Sequence, residues 1–285
     1  MSISGGIFEK IRKRKKIIPF LFLLLPLGYL LVFFFSPMGI SLLYSFGAVD
    51  KYYRFIFNFT LEYYLQSFRP TVMWILGRSL LIAGLTAVCC FLLGYPVAYT
   101  IAIKTRRYRN VLMMMVILPY WVSFLLRIYA LMNILQLLDM YVFGRLGFSV
   151  VGTIWGVMLG MVYDYIPFMI LPLYASVEKL DVSLIEASKT LGAGPYRTFF
   201  HVTLPLTMPG VAAGIVLVFV PCVGEFLVPY FLGGPSEYMI GNVIWDLFLK
   251  VRSWWFGSAV STVMLAITLA VVLIYMRYGG GEMAF

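Results

Sequence analysis

The chain has 285 residues, of which 62% are apolar and only 12% are charged. Soluble domains average about 25% charged residues, so this composition excludes an ordinary soluble domain and predicts a protein with several membrane spans. The formal net charge of +10 is typical of basic cytoplasmic loops in such a protein, and we therefore expect no nucleic-acid partner.

Residue types that carry enzyme chemistry are scarce in this chain. Cys89, Cys90 and Cys222 lie in apolar runs without the spacing of metal ligands, and His201 is the only histidine. The chain contains no G-x-x-x-x-G-K-[ST] motif and so lacks a P-loop of its own. We expect no catalytic site, no metal site and no cofactor bound by this chain.

Six apolar segments are long enough to cross a bilayer, which takes about 20 helical residues. They begin near the following positions: Ile17, Ser79, Asn110, Val151, Thr207 and Trp255. The sequence therefore predicts an all-α, polytopic membrane protein with six transmembrane helices. We expect a basic N-terminus over residues 1–16, a first helix over 17–36, an external loop over 37–72, a core of five helices over 73–277 and a tail over 278–285.

The basic residues predict which side of the membrane each loop occupies. Lys and Arg cluster before the first span, in "KTRRYR" after the second and in the loop after the fourth. Cytoplasmic loops carry the excess of Lys and Arg in membrane proteins. Both termini and the segment Asp181–Gly210 are therefore predicted to be cytoplasmic.

Three ionisable residues fall inside the predicted spans: Arg127 in the third, Asp164 in the fourth and Glu225 in the fifth. A charge at the bilayer centre costs about 2.5–3.5 kcal/mol, so such residues usually pair with one another or face a pathway. In one interpretation, Arg127 pairs with Asp164 or Glu225 and holds the bundle together. In the other, the two acids line a route for a cation, with aromatic rings nearby for cation–π contact. The aromatic candidates are Tyr120, Trp121, Tyr163 and Tyr165.

The segment Asp181–Gly210 carries start and stop signals for two short helices. Asp181 is a suitable helix cap, and Ser183 with Glu186 has the spacing of a capping box. Gly192 is placed to end the first helix, and "GAGP" predicts a turn before a second helix over about residues 195–202. The sequence therefore predicts a helix–turn–helix on the cytoplasmic face.

The surface of this helix–turn–helix is neither strongly charged nor strongly apolar. It offers small residues at which another backbone can approach closely: Ala187, Ser188 and Gly192. A docking element for a cytoplasmic partner fits this pattern, and an ordinary cytoplasmic connector is the alternative.

The same segment resembles a motif of permease subunits of binding-protein-dependent ABC importers. That motif reads Glu-Ala-Ala, three residues, Gly, nine residues, Ile-x-Leu-Pro. In register with it stand Glu186, Ala187, Ser188, Gly192, Val202, Leu204 and Pro205. Ser188 replaces the second Ala and Val202 replaces Ile. The stretches "LGYPVAYTIA", "ILPYWVSFLLRIYA" and "YIPFMILPLYASVEKLD" are similar to permeases of spermidine/putrescine importers, and the resemblance covers nearly everything after Phe20.

The resemblance implies a type I (MetI-like) ABC importer permease fold in a bacterial cytoplasmic (inner) membrane. Residues 182–192 would form the coupling helix, which sits in a groove of an ATP-binding subunit. Glu186 would hydrogen-bond or ion-pair with that subunit, and Gly192 would act by its shape. The implied partners are a homodimer of ATP-binding subunits, a second homologous permease and a periplasmic or surface solute-binding protein.

The resemblance also implies the function. ATP and magnesium would be used by the partner ATPase, and this chain would form half of the translocation pathway for polyamines. Related permeases carry other small solutes such as ferric iron or thiamine, so these are alternative substrates. A secondary transporter driven by an ion gradient is a further alternative, but the two halves of the chain show no convincing repeat of the kind such folds often carry.

Overall fold

The computed structural model describes residues 24–49, 55–56, 59–105 and 107–278. In these ranges the first half of the chain forms, in order, α1 (Leu24–Ser45), β1 (Ala48–Val49), β2 (Phe55–Ile56), α2 (Glu62–Ser67), α3 (Pro70–Lys104), α4 (Arg109–Ile117) and α5 (Phe124–Phe143). The second half forms α6 (Ile154–Glu178), α7 (Val182–Thr190), α8 (Pro195–Leu206), α9 (Met208–Val223), α10 (Leu227–Leu232), α11 (Ile240–Leu249) and α12 (Trp254–Tyr278).

The predicted all-α architecture is confirmed. Five of the described helices are long and apolar enough to cross a membrane, namely α1, α3, α5, α6 and α12. The helices α8 and α9 meet at a bend of 70°, and counting this bent pair as one span brings the number of candidate spans to six. Two strands of two residues each, β1 and β2, pair antiparallel between α1 and α2, which leaves the all-α class unchanged.

The first two long helices differ in their bounds from the predicted first span, external loop and second span. Helix α1 ends at Ser45 rather than at residue 36, so it occupies part of the predicted loop over 37–72. A π-helical turn over Leu31–Phe35 precedes Pro37, and the helix continues because Pro is tolerated near the start of a helical segment. Helix α3 begins at Pro70 rather than near Ser79, because Pro also suits the first helical position there.

The predicted third span, beginning near Asn110, consists of two helices. Helix α4 ends at Ile117, a 3₁₀ turn follows over Leu118–Trp121, and α5 begins only at Phe124. Pro119 lies in this turn, and a proline both removes a backbone donor and restricts the residue before it. The helix that is long enough to span is therefore α5.

The core lies between α3, α6 and α9, which pack on one another more extensively than any other helices of the described ranges. Buried side chains such as Met161, Met169 and Val218 fill it. At Gly210 the backbones of α9 and α6 come so close that an added Cβ would lie 2.7 Å from the carbonyl oxygen of Pro172. Helix α12 packs against α1 and α2 at the periphery.

Candidate functional site

A buried ion pair joins α5 to α6 in the middle of the bundle. The guanidinium of Arg127 lies 2.9 Å from Oδ1 of Asp164, and the two side chains are 7% and 3% exposed. The Cζ atom of Arg127 also lies 4.4 Å from the ring centroid of Tyr120 and 5.8 Å from that of Phe124. The hydroxyl of Tyr120 donates a hydrogen bond to the backbone carbonyl of Asp164. The cation is thus held by a carboxylate and two aromatic rings.

This arrangement decides between the two partners that the sequence left open for Arg127. Its ion pair goes to Asp164, and the structure shows none with Glu225 among the described residues. The contact with Oδ1 of Asp164 lacks hydrogen-bond geometry, and Nε of Arg127 is buried without a hydrogen-bond partner in the same ranges. The pair therefore neutralises both charges without satisfying every polar atom.

Glu225 lies in the short connection between the end of α9 and the start of α10. Its Oε1 accepts hydrogen bonds from the backbone amides of Phe226 at 3.0 Å, Leu227 at 2.8 Å and Val228 at 3.4 Å. Its Oε2 accepts a 2.6 Å hydrogen bond from the hydroxyl of Tyr165. Because Glu225 is only 8% exposed, this carboxylate is committed to protein donors and caps the amide end of α10.

Two further polar side chains, to which the sequence analysis assigned no role, form hydrogen bonds with the backbone near this connection. Asn242 donates from Nδ2 to the carbonyl of Phe226 at 2.8 Å and accepts from the amide of Met239 at 3.1 Å. Ser79 accepts a 2.8 Å hydrogen bond from the amide of Ile240. In the sequence, the feature that could have predicted these bonds is the lone Asn242 in the first turn of the otherwise apolar helix α11. Together these bonds satisfy backbone groups that lipid cannot satisfy.

The six predicted pathway residues separate into buried and exposed groups. Asp164 and Tyr165 are consecutive in α6, so the ion pair and the Glu225 cluster are neighbours, and Tyr120 joins the first of them. Trp121 and Tyr163 are exposed instead, at 79% and 43%. The structure therefore gathers the acids into internal contacts and leaves these two aromatic rings on the surface.

The cytoplasmic helix–turn–helix begins at α7. The carboxylate of Asp181 accepts a 2.9 Å hydrogen bond from the amide of Ser183 and caps the helix as predicted. That bond holds the pKa of the Asp181 carboxyl below its ordinary value. Ser183 is consequently inside the first turn rather than at the cap, so the capping box expected between Ser183 and Glu186 does not form, because the cap position is already taken by Asp181.

Gly192 ends α7 with a left-handed backbone conformation. Its φ is +80°, its amide donates to the carbonyl of Lys189 at 2.9 Å, and the amide of Ala193 donates to the carbonyl of Ser188 at 3.1 Å. These two bonds form a Schellman motif, for which Gly is favoured because it has no Cβ. No heavy atom lies within 4 Å of the position a Cβ would take, so within this chain Gly192 is needed for its conformation rather than for close packing.

Helices α7 and α8 pack into a hairpin with an open groove. Ile185 is buried, and Oγ of Ser188 lies 2.9 Å from Oγ1 of Thr198 across the hairpin. The groove has a volume of about 720 Å³ and is lined in part by Leu184, Ala187, Ser188, Leu191, His201 and Pro205. Glu186 is exposed beside it and has no ion pair with another described residue. Leu204 of the motif lines a different groove, on the side of α3.

The hairpin is tied to the core at the bend between α8 and α9. The hydroxyls of Thr207 and Tyr95 lie 2.8 Å apart and are buried, and Tyr95 belongs to α3. Ser176 of α6 donates a 3.5 Å hydrogen bond to the carbonyl of Thr207. The ring of Tyr95 packs edge-on against Phe199 of α8 at 5.1 Å. These contacts connect the hairpin to two helices of the core, α3 and α6.

Comparisons with known proteins find relatives over most of the chain. Residues 91–278 match the family described as "Binding-protein-dependent transport system inner membrane component". The spermidine/putrescine transport system permease protein PotB of Haemophilus influenzae is 38% identical over 258 residues, which cover 88% of this chain and 90% of that protein. The protein of the same name from Escherichia coli is 36% identical over 257 residues, covering 88% of this chain and 94% of that protein.

A solved structure has the same fold. It is the crystal structure of a bacterial alginate ABC transporter in complex with a periplasmic protein bound to alginate pentasaccharide. One of its chains superposes on this one with a TM-score of 0.69 at 18% identity, over 97% of this chain and 99% of that chain.

Proposed function

Since the chain belongs to the family of binding-protein-dependent transport system inner membrane components, we propose that it forms one permease half of an ATP-driven polyamine importer. The fold expected from the resemblance is confirmed, and the protein is a multi-pass inner-membrane component. The observation that carries the proposal is the identity of 36–38% to two spermidine/putrescine permeases over 88% of this chain.

The cytoplasmic hairpin is the docking element for a separate ATP-binding subunit. Its motif residues Ala187, Ser188 and Pro205 line an open groove, and the carboxylate of Glu186 is available to a partner. ATP and magnesium are bound by that partner, which we propose to be present in two copies. Closure of the ATPase pair displaces the hairpin, and the contacts of Thr207 with Tyr95 and Ser176 carry the displacement into α3 and α6.

The remaining partners follow from the architecture of such importers. A second, homologous permease supplies the other half of the pathway, and a periplasmic or surface binding protein delivers the substrate. A bound periplasmic protein in the structurally similar alginate transporter supports the latter. With the basic loops on the cytoplasmic side, both termini are cytoplasmic.

The exposed rings of Trp121 and Tyr163 serve the polyamine pathway directly, because an exposed aromatic face attracts an ammonium group. The carboxylates of Asp164 and Glu225 are buried inside the bundle and do not line the pathway. Each is already engaged by donors of this chain, so they position α5, α6 and α10 rather than bind the cation.

One experiment tests the proposed function as a whole. The tagged chain is solubilised gently from its own membrane, its companions are identified by mass spectrometry, and the recovered complex is reconstituted for uptake of labelled spermidine and putrescine. We expect a P-loop ATPase, a second six-span permease and uptake that requires both ATP and the binding protein. Recovery of the chain alone, active in gradient-driven uptake, would refute the proposal.

A further inference from the structure

The middle of one exposed face of α5 is polar although the helix is long enough to cross a membrane, and the exposed Leu125 and Met140 lie at the two ends of this face. Tyr129, Asn133 and Gln136 follow one another at helical spacing and are all exposed. The adjoining exposed face is apolar and consists of Leu126, Ala130, Ile134 and Leu137. The two faces share one helix and one depth range and differ in polarity. We call the first set the polar face of α5.

The polar face lies near the middle of the candidate span α5. Asn133 stands nine residues after Phe124 and ten before Phe143, the two ends of the span, which places it roughly 14 Å from each end at 1.5 Å per residue. Its Nδ2 donates to the carbonyl of Tyr129 at 2.7 Å, and its amide oxygen accepts no hydrogen bond in the described ranges. The side-chain amide of Gln136 likewise has no partner there. Lipid offers neither amide a partner, so this face does not point to lipid.

Helix α10 borders the same face. The ring of Tyr129 packs edge-on against Phe231 of α10 at 6.3 Å, and Phe231 in turn packs against Tyr230 at 5.3 Å. Tyr230 is 55% exposed. Irregular backbone at membrane depth is tolerated where it is buried in protein or lines a water-filled cavity. Helix α10 therefore continues the exposed surface beside the polar face, with the ring of Tyr230 next to that of Phe231.

We propose that the polar face of α5 lines the water-filled passage and provides neutral contacts for the ammonium groups of the polyamine. The proposal rests on the proposed function. Amide and phenol oxygens accept hydrogen bonds from ammonium, and the rings of Tyr129 and Tyr230 add cation–π contact. Neutral acceptors suit passage better than free carboxylates, because a transported cation must be bound weakly enough to leave.

The test is cysteine accessibility in the assembled complex. In a background with Cys89, Cys90 and Cys222 replaced by Ala, single cysteines are placed along the polar face (Tyr129→Cys, Asn133→Cys, Gln136→Cys) and along the apolar face (Leu126→Cys, Ile134→Cys, Leu137→Cys). The complex is held in lipid nanodiscs and treated with a cationic methanethiosulfonate reagent. Thiolates form in water and not in lipid, so polar-face cysteines are expected to react at least about tenfold faster. Added spermidine is expected to slow the reaction of the polar-face cysteines.

Three results would overturn the proposal. Equally slow reaction on both faces, with uptake intact, would mean that the polar face is buried in dry protein. Equally fast reaction on both faces would mean that water reaches the apolar face as readily as the polar face. Fast reaction on the polar face without protection by spermidine would remove the binding role, and the separate uptake assay would then show whether a polyamine is the substrate at all.

A second variant keeps the test independent of labelling. Asn133→Leu removes the polar group at the centre of the face, and Ile134→Val is its matched control on the apolar face. We expect polyamine uptake to fall about tenfold in the first, on the scale of one lost hydrogen-bonding contact, at unchanged membrane abundance, and to persist in the second. Unchanged uptake by Asn133→Leu would contradict the proposed contact.

Discussion

The hydroxyl of Tyr165 donates a 2.6 Å hydrogen bond to Oε2 of Glu225, and both side chains are buried. The other oxygen of the same carboxylate accepts backbone amides at the start of α10. Glu225 therefore fastens α6 to the break between α9 and α10. An apolar side chain at this position would leave the amide end of α10 and the phenol without partners.

Substitution of either partner tests this structural role of Glu225. Tyr165→Phe leaves one buried carboxylate oxygen unpaired, and we expect the complex to lose about 1–3 kcal/mol of stability. Glu225→Gln keeps an oxygen for the amides, so it is expected to retain most polyamine uptake, whereas Glu225→Ala is expected to lose it. Thermal unfolding and ATP-driven uptake are the two measurements. If Glu225→Gln abolished uptake at unchanged stability, the charge itself would act on the cation.

The ion pair of Arg127 with Asp164 predicts strong coupling between these two positions. Arg127→Met strands a buried carboxylate and is expected to destabilise the protein by about 3–5 kcal/mol, while Arg127→Met combined with Asp164→Leu is expected to recover most of that loss. A double-mutant cycle on thermal unfolding measures the coupling. Strictly additive single effects would show that the pair contributes nothing in the membrane. Arg127→Lys is the control that keeps the positive charge but removes the planar guanidinium beside the ring of Tyr120.

The sequence predicted local features better than interior partners. The roles of Asp181 as a helix cap and of Gly192 as a helix stop could be predicted from the sequence, because each depends only on the few residues around it. The partner of Arg127 depends on how α5 packs against α6, which no spacing along the chain specifies. The helix ends near Pro119 and Glu225 are hard to locate from the sequence, because an apolar run of spanning length looks continuous even where the helix is interrupted.

The cap of α7 predicts a pH dependence. Hydrogen bonding by the amide of Ser183 lowers the pKa of the Asp181 carboxyl below its ordinary value of 3.8. Its stabilisation of α7 is therefore complete above that ordinary value and is lost as the pH falls through the lower pKa of the folded state. Hydrogen exchange at the first amides of α7, corrected for its intrinsic pH dependence, measures this loss. Asp181→Asn still caps and is expected to show no such dependence. The same acid response in that variant would assign it to another group.

The left-handed conformation of Gly192 predicts an unusual order of substitutions. At φ +80° a residue with a Cβ costs about 1–2 kcal/mol, except that Asn visits this region readily. We expect ATP-driven uptake to fall in Gly192→Ala and Gly192→Val and to persist in Gly192→Asn, at equal abundance in the membrane. Gly194→Ala is the matched control, because Gly194 has an ordinary φ of −67° and equally open surroundings. If Ala were tolerated better than the larger Asn, close approach of the ATP-binding subunit would be what requires Gly192, and the backbone conformation would be secondary.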